Sequence, residues 1–202
     1  MNWPLLWQYT GANALLGVLP AVIGLAIALP LGVACARWRW FYVPVLPLTT
    51  ILYSIPSLAL FVVLIDYTGL SNTTVIIPLT LFSLCVLVPN VVDGLRSVPQ
   101  PVRQAATAMG FGPLRRLVRV ELPLAVPVII AGLRIAVVSS ISLASVGQLI
   151  GVGSLGYFFL DGFQRDFPEE IYVGGVAIIV LAFACDLLLV GTRRLATPWS
   201  RR

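Results

Sequence analysis

Few residues in this 202-residue chain can do chemistry, and the missing types say as much as those present. There is no lysine and no histidine, so every side-chain cation is an arginine. A P-loop needs its lysine to reach nucleotide phosphates, and the chain is therefore not an ATPase by itself. Histidine metal sites, Ser-His-Asp triads and imidazole proton relays are excluded on the same ground. The eight carboxylates are dispersed, mostly outside the apolar runs or at their ends. A metal centre or an activated nucleophile would need them clustered. Cys35, Cys85 and Cys185 stand singly in separate apolar runs. They read as small hydrophobic side chains against neighbouring helices, not as a disulfide framework.

Two patterns remain. One is a short polar break, RQAATAMGFG over 103–112 continuing as LRRLVRVELPLAVP from Leu114, set between long apolar runs. The other is a scatter of hydroxyls, glycines and two charges inside those runs.

The elements that must position them are membrane helices. The chain is 59% hydrophobic and 10% charged, against about 25% charged in a soluble domain. A soluble fold of this length could not hide so much apolar surface. Crossing about 30 Å of hydrocarbon takes about 20 helical residues, and five segments are long enough: approximately 14–35, 42–65, 73–92, 124–150 and 171–191. Backbone polar groups in lipid must be satisfied internally, so these are helices. Pro20, Pro30, Pro47, Pro56, Pro78 and Pro127 lie within them and are expected to bend paths and free carbonyls near a cavity. LGVAC at 31–35 faintly resembles a lipoprotein cleavage site, but no basic segment precedes the apolar run, so neither lipidation nor a cleaved signal is expected.

Arginines orient the chain. Arg37 and Arg39 follow the first span; Arg96, Arg103, Arg115, Arg116 and Arg119 the third; Arg193, Arg194, Arg201 and Arg202 the fifth. Eleven of the 13 thus share one side, Arg165 lies on the other and Arg134 lies within span four. By the positive-inside rule the N-terminus is outside and the C-terminus cytoplasmic. Trp3 and Trp7 then fall at the outer interface and Trp38, Trp40 and Trp199 at the inner one, forming an aromatic belt. The multi-pass chain is placed in a cell membrane, with the polar break at 93–123 in the cytoplasm.

Within that segment Pro99 and Pro101 set up a helix start, VRQAATAM (102–109) makes two turns, and Gly110 and Gly112 end it. Pro113 starts a second helix with Leu114, Leu117 and Val118 on one face and Arg115, Arg116 and Arg119 on the opposite arc. That second helix is expected to lie at the membrane surface. The first is too short to be stable alone in water. Its small alanines suit a partner's groove, the helix-in-groove mode of recognition.

Gln104-Ala105-Ala106-Thr107-Ala108-Met109-Gly110, followed after nine residues by Val120-Glu121-Leu122-Pro123, resembles the EAA loop of ABC-importer permeases in spacing throughout. The resemblance implies an all-α integral membrane protein: a five-transmembrane-helix permease core whose coupling loop docks in a cytoplasmic ATPase. It assigns ATPase coupling to Gln104, Ala105, Ala106, Ala108, Met109, Gly110, Glu121 and Pro123. Gln104 departs from the family pattern, which carries an acid there. LYSIPSLAL (52–60), VELPLAVPVIIAGLR (120–134) and IGVGSLG (150–156) are similar to permeases for glycine betaine, carnitine, choline or proline betaine. The implied partners are an ATPase dimer, an external substrate-binding protein, a second permease copy (identical or a paralogue) and the lipid bilayer. Nucleic acid is not among them. No cofactor is expected on this chain, and ATP and Mg belong to the ATPase.

Quaternary ammonium groups are usually held by aromatic cages. No tryptophan falls mid-membrane, and the tyrosines and phenylalanines do not cluster within one span. Selectivity is therefore expected to reside in the external binding protein. Tyr53, Ser54, Pro56 and Ser57 either line a weak passing site or form a packed kink. Ser139, Ser140, Ser142 and Ser145 either line the path or let helices approach closely. Gly151, Gly153 and Gly156 hinge an acidic, aromatic outer segment that closes an outer gate in the family. Arg134 and Asp186, charges inside spans, are costly in lipid and normally face the interior; a structural role, with the two as possible partners, stands beside a transport role. An amino-acid permease, such as one for methionine, is the alternative substrate reading. A non-ABC channel or a membrane-embedded enzyme are the alternatives from other classes.

Thiol-reactive tags at Ser71 and Gln164 are expected to label from outside the cell, and one at Gln100 only after permeabilisation. Labelling of Gln100 from outside would reverse the orientation.

Overall fold

The computed structural model describes residues 3–197, which are helical apart from short connections. Trp199, Arg201 and Arg202 lie outside the described residues.

The first helix, α1 (Trp3–Arg37), is 35 residues long and passes through Pro20 and Pro30 without a break. It starts well before the expected span, and at about 1.5 Å per residue it exceeds the hydrocarbon thickness. Next come α2 (Arg39–Ser54) and α3 (Ser57–Thr68). They occupy the expected second span, yet they meet at 89°. Ile55 and Pro56 are both extended there. The ring of Pro56 disfavours a helical conformation at Ile55, which accounts for the local break. Of the prolines expected to bend spans, Pro56 alone sits at such a break; Pro20, Pro30, Pro47, Pro78 and Pro127 lie within continuous helices.

Helix α4 (Asn72–Arg96) extends to Arg96, beyond the expected end of the third span. The short α5 (Gln100–Ala108) follows. From Pro113 the chain runs as one continuous helical stretch to Ile150: α6 (Pro113–Arg116), a widened turn (Leu117–Glu121), α7 (Leu122–Ala144) and a tightened last turn (Ser145–Ile150). The widened turn has a physical cause. Pro123 has no N–H to return to Arg119, and the Leu122 N–H reaches back to the Leu117 carbonyl instead. The short α8 (Gly156–Gln164) and the long α9 (Pro168–Ala196) complete the chain. Among the described residues, four helical stretches are each long and apolar enough to cross a membrane, and the bent α2/α3 pair adds a fifth if its two halves are taken as one span.

The expected amphipathic surface helix at 113–119 is not separate. It is the first part of the stretch that becomes α7, with Leu114 and Val118 exposed and only Leu117 of the expected apolar face buried.

The core is a three-helix contact of α1, α4 and α7. Small residues set its spacing. A methyl group at Gly17 would lie 2.4 Å from the Ile141 side chain, and one at Gly32 would lie 2.5 Å from Val91. Lipid gives helices no hydrophobic reason to associate, so close backbone approach and interhelical hydrogen bonds take that role. The buried Asn13 amide donates to the Ile141 carbonyl at 3.1 Å, and the hydroxyls of Ser83 and Ser140 pair at 3.3 Å. A second apolar cluster forms where Phe61 of α3 meets Leu16, Val75, Leu79 and Ile150. The α8 helix packs on α9 and on the tightened turn before it. There a methyl group at Gly156 would sit 1.9 Å from the Ser145 carbonyl oxygen.

Gly156→Ala is expected to destabilise the protein by about 1–3 kcal/mol through that overlap, seen as a lower melting temperature in detergent. Gly191→Ala, where nothing lies within 4 Å, should leave it unchanged. Equal melting temperatures for the two variants would refute this packing.

Candidate functional site

The polar break folds into a compact device. Pro99 and Pro101 start α5, with the Val102 and Arg103 N–H groups returning to the Pro99 carbonyl at 3.1 and 3.3 Å. The helix ends in a Schellman arrangement: the Gly110 N–H bonds the Thr107 carbonyl at 3.0 Å and the Phe111 N–H bonds the Ala106 carbonyl at 3.1 Å. Gly110 holds φ +78°, a conformation that glycine adopts freely and β-branched residues resist.

The three alanines part company. Ala106 is 1% exposed, the only buried residue of α5, on the side that packs against α6 and the widened turn. Pro101, Gln104, Ala105 and Ala108 are exposed and recur at i, i+3, i+4, i+7, forming one outward face continued by the exposed Met109. Ala106 therefore seats α5 on its own chain and is not available to a partner.

Arg116 fixes that seat. Its Nε donates to Glu121 Oε1 at 2.7 Å and its Nη1 donates to Thr107 Oγ1 at 2.9 Å. Thr107 in turn donates to the Arg103 carbonyl, and Arg103 Nη2 donates to the carbonyl of Leu95 at the end of α4. Arg37 of α1 donates to the Pro113 carbonyl at 3.0 Å. Hydrogen bonds and an ion pair thus tie α5 to the end of α4 and to the turn that leads into α7, with α1 tied to the start of α6. Glu121 is buried and Pro123 half-buried, so both belong to this anchorage and not to the outward face.

The path candidates are split. Tyr53 and Ser54 border a cavity of about 370 Å³ between α2 and α4, with Thr49, Thr50, Cys85 and Pro89. Thr49 and Thr50 were not singled out by the sequence, although two adjacent hydroxyls one turn before Tyr53 and Ser54 were a visible signal. The hydroxyls of Thr50 and Ser54 donate to carbonyls one turn back, at 3.1 and 2.9 Å. Pro56 and Ser57 sit at the sharp break beyond the cavity. In α7, Ser140 faces α4 as a helix contact, whereas Ser142 is exposed and bonds its own helix at Val138. Gly151 ends the tightened turn with φ +82°, Gly153 abuts the Tyr9 ring, and Gly156 is enclosed under Ser145. Aromatic rings that are scattered in sequence gather here across elements: Tyr9 and Tyr157 lie 5.1 Å apart, with Phe158 at 6.2 and 5.5 Å.

Arg134 and Asp186 do meet. Arg134 Nε donates to Asp186 Oδ1 at 2.6 Å and Nη2 to Oδ2 at 2.7 Å, a two-point pair joining α7 to α9. Among the described residues, histidine, cysteine and carboxylate side chains gather nowhere in a group of three that could hold a metal.

Similarity to known proteins names the class to which this arrangement belongs. Residues 28–202 match the binding-protein-dependent transport system inner membrane component. The chain belongs to that family. It is 30% identical to the glycine betaine/carnitine/choline transport system permease protein OpuCB of Bacillus subtilis over 94% of this chain and 87% of that one. It is 36% identical to the osmoprotectant import permease protein OsmW of Salmonella typhimurium over 87% of this chain and 85% of that one. Among solved structures, the inward-facing methionine transporter MetNI matches with a TM-score of 0.83 at 22% identity, covering 98% of this chain and 100% of that chain. The protein is thus a multi-pass permease subunit of an ABC importer, with ATP hydrolysis on a separate subunit.

In this permease the Arg134–Asp186 pair is expected to be structural. Asp186→Ala, which strands Arg134 inside a span, should lower the melting temperature more than the double change Arg134→Leu with Asp186→Leu. A double variant less stable than Asp186→Ala would refute that role.

Proposed function

We propose that this permease imports osmoprotectants of the glycine betaine, carnitine and choline class. It would work with an external binding protein and a cytoplasmic ATPase dimer, as one of two permease copies enclosing a single path. The substrate class rests on the names carried by the relatives; the likeness to a methionine transporter is one of fold. Residues 1–202 act as a single permease domain, with the N-terminus outside and the coupling segment and C-terminus in the cytoplasm.

The observation that carries the mechanism is the division of α5 into two faces. Ala106 anchors it, and Pro101, Gln104, Ala105 and Ala108 lie open for a partner. The open face is small-sided, which allows a groove to close tightly around it. Movement of the ATPase would push on α5 and reach α7 through Arg116 and Glu121 and α4 through Arg103. The cavity beside Tyr53 and Ser54 lies between α2 and α4 and is the proposed passing site, weak and unselective. The segment 151–156 beyond α7 is the proposed outer gate.

Two variants separate the faces. Ala105→Arg places a long cation on the open face and is expected to leave folding intact while weakening ATPase association about tenfold or more, a clash of about 1–3 kcal/mol. Ala106→Arg breaks the seat and is expected to lower thermal stability as well. ATPase retained at wild-type levels by Ala105→Arg, with normal transport, would refute docking. Exchange of the external binding protein should change which solutes are carried; specificity that stays with this chain would refute the weak passing site.

A further inference from the structure

The anchored side of α5 leaves an unbalanced charge. A cavity of about 900 Å³ opens between α5 and the end of α4, and Arg96, Arg103 and Arg116 all line it. No carboxylate lies among its described lining residues. Glu121 engages Arg116 from a separate cavity behind, and among the described residues no carboxylate lies at ion-pair distance from the other two cations. Arg103 spends one amino group on the Leu95 carbonyl, while its Nε is shielded from solvent without a hydrogen-bond partner. Arg96 is pre-positioned by its stack on the Tyr42 ring at 4.5 Å. A shielded guanidinium N–H is costly to leave unpaired, and guanidinium groups recognise carboxylates through paired hydrogen bonds.

The position of the mouth says where the missing anion comes from. Gln104 and Ala108 line this cavity and also belong to the open face of α5. Whatever docks on that face covers the cavity. With Gln104 where the resembled loop carries an acid, α5 itself offers Arg96 and Arg103 no carboxylate. We infer that the arginine-lined cavity beside α5 receives an acidic side chain of the ATPase, so that at this contact the permease supplies the positive charge and the ATPase the carboxylate. The inference rests on the docking reading above.

The test uses the assembled transporter in nanodiscs, with ATPase retention followed over increasing sodium chloride. Arg96→Gln is expected to weaken ATPase association about fivefold at low salt and to flatten the salt dependence. Gln104→Glu offers the arginines an internal carboxylate and is likewise expected to weaken association, although it restores the usual residue of the resembled loop. Combined with Arg96→Gln it should add less than its separate effect. Tighter or unchanged association in Gln104→Glu, or an unaltered salt dependence in Arg96→Gln, would overturn the inference. Nanodiscs of purely zwitterionic lipid form the second arm. The Arg96→Gln effect should persist there; its disappearance would mean that the cavity takes the headgroup of a net-anionic lipid, and would also overturn it. Release of the ATPase by Ala105→Arg but not by these charge changes would leave α5 docking standing while removing the acidic contact.

Discussion

The proposed coupling device depends on how Arg116 is held. One guanidinium bonds Glu121 in the widened turn before α7 and Thr107 in α5, so it spans the Gly110 reversal between the two helices. A nine-residue helix is marginal by itself. Seated through Ala106 and clamped by Arg116, it becomes a rigid extension of the membrane helix. The charge pair is partly shielded, with Glu121 at 8% side-chain exposure, and so is less screened by salt than a surface pair would be.

Rigidity below is matched by close packing above. The α1, α4 and α7 helices meet through glycines and buried amide and hydroxyl contacts, which leaves little freedom to slide. The irregular parts lie around that core: the 89° break between α2 and α3, the tightened turn ending at Gly151, and the short α8. A path that opens and closes is more easily built from these peripheral pieces than from the core, and the cavity at Tyr53 adjoins one of them.

Much of this was legible beforehand because membrane constraints are strong. Apolar run length located the helices, and the spacing from Gln104 to Pro123 carried the family resemblance, since a helix, a reversal and a return must all fit between those points. Four things were hidden. The break at Pro56 looks in sequence like Pro47 or Pro78, which lie in unbroken helices; the difference comes from tertiary context. The choice of Ala106 over Ala105 as the buried residue depends on where α6 lies, and three identical side chains offer no clue. The bond from Arg116 to Glu121 was masked because a regular helix would put the arginine on an outward arc; the turn widened by Pro123 accompanies the departure. Arg134 and Asp186 were recognisable as costly charges, but their two-point meeting across 52 positions needed the fold.

The central claim is that α5 presents one face to the ATPase and keeps the other for its own chain. Site-specific photo-crosslinking in the assembled transporter tests it most directly, with a photoreactive residue placed in turn at 105, 106 and 108. The account predicts crosslinks to the ATPase from 105 and 108, and crosslinks only within the permease from 106. Strong ATPase crosslinks from 106 with none from 105 or 108 would contradict it.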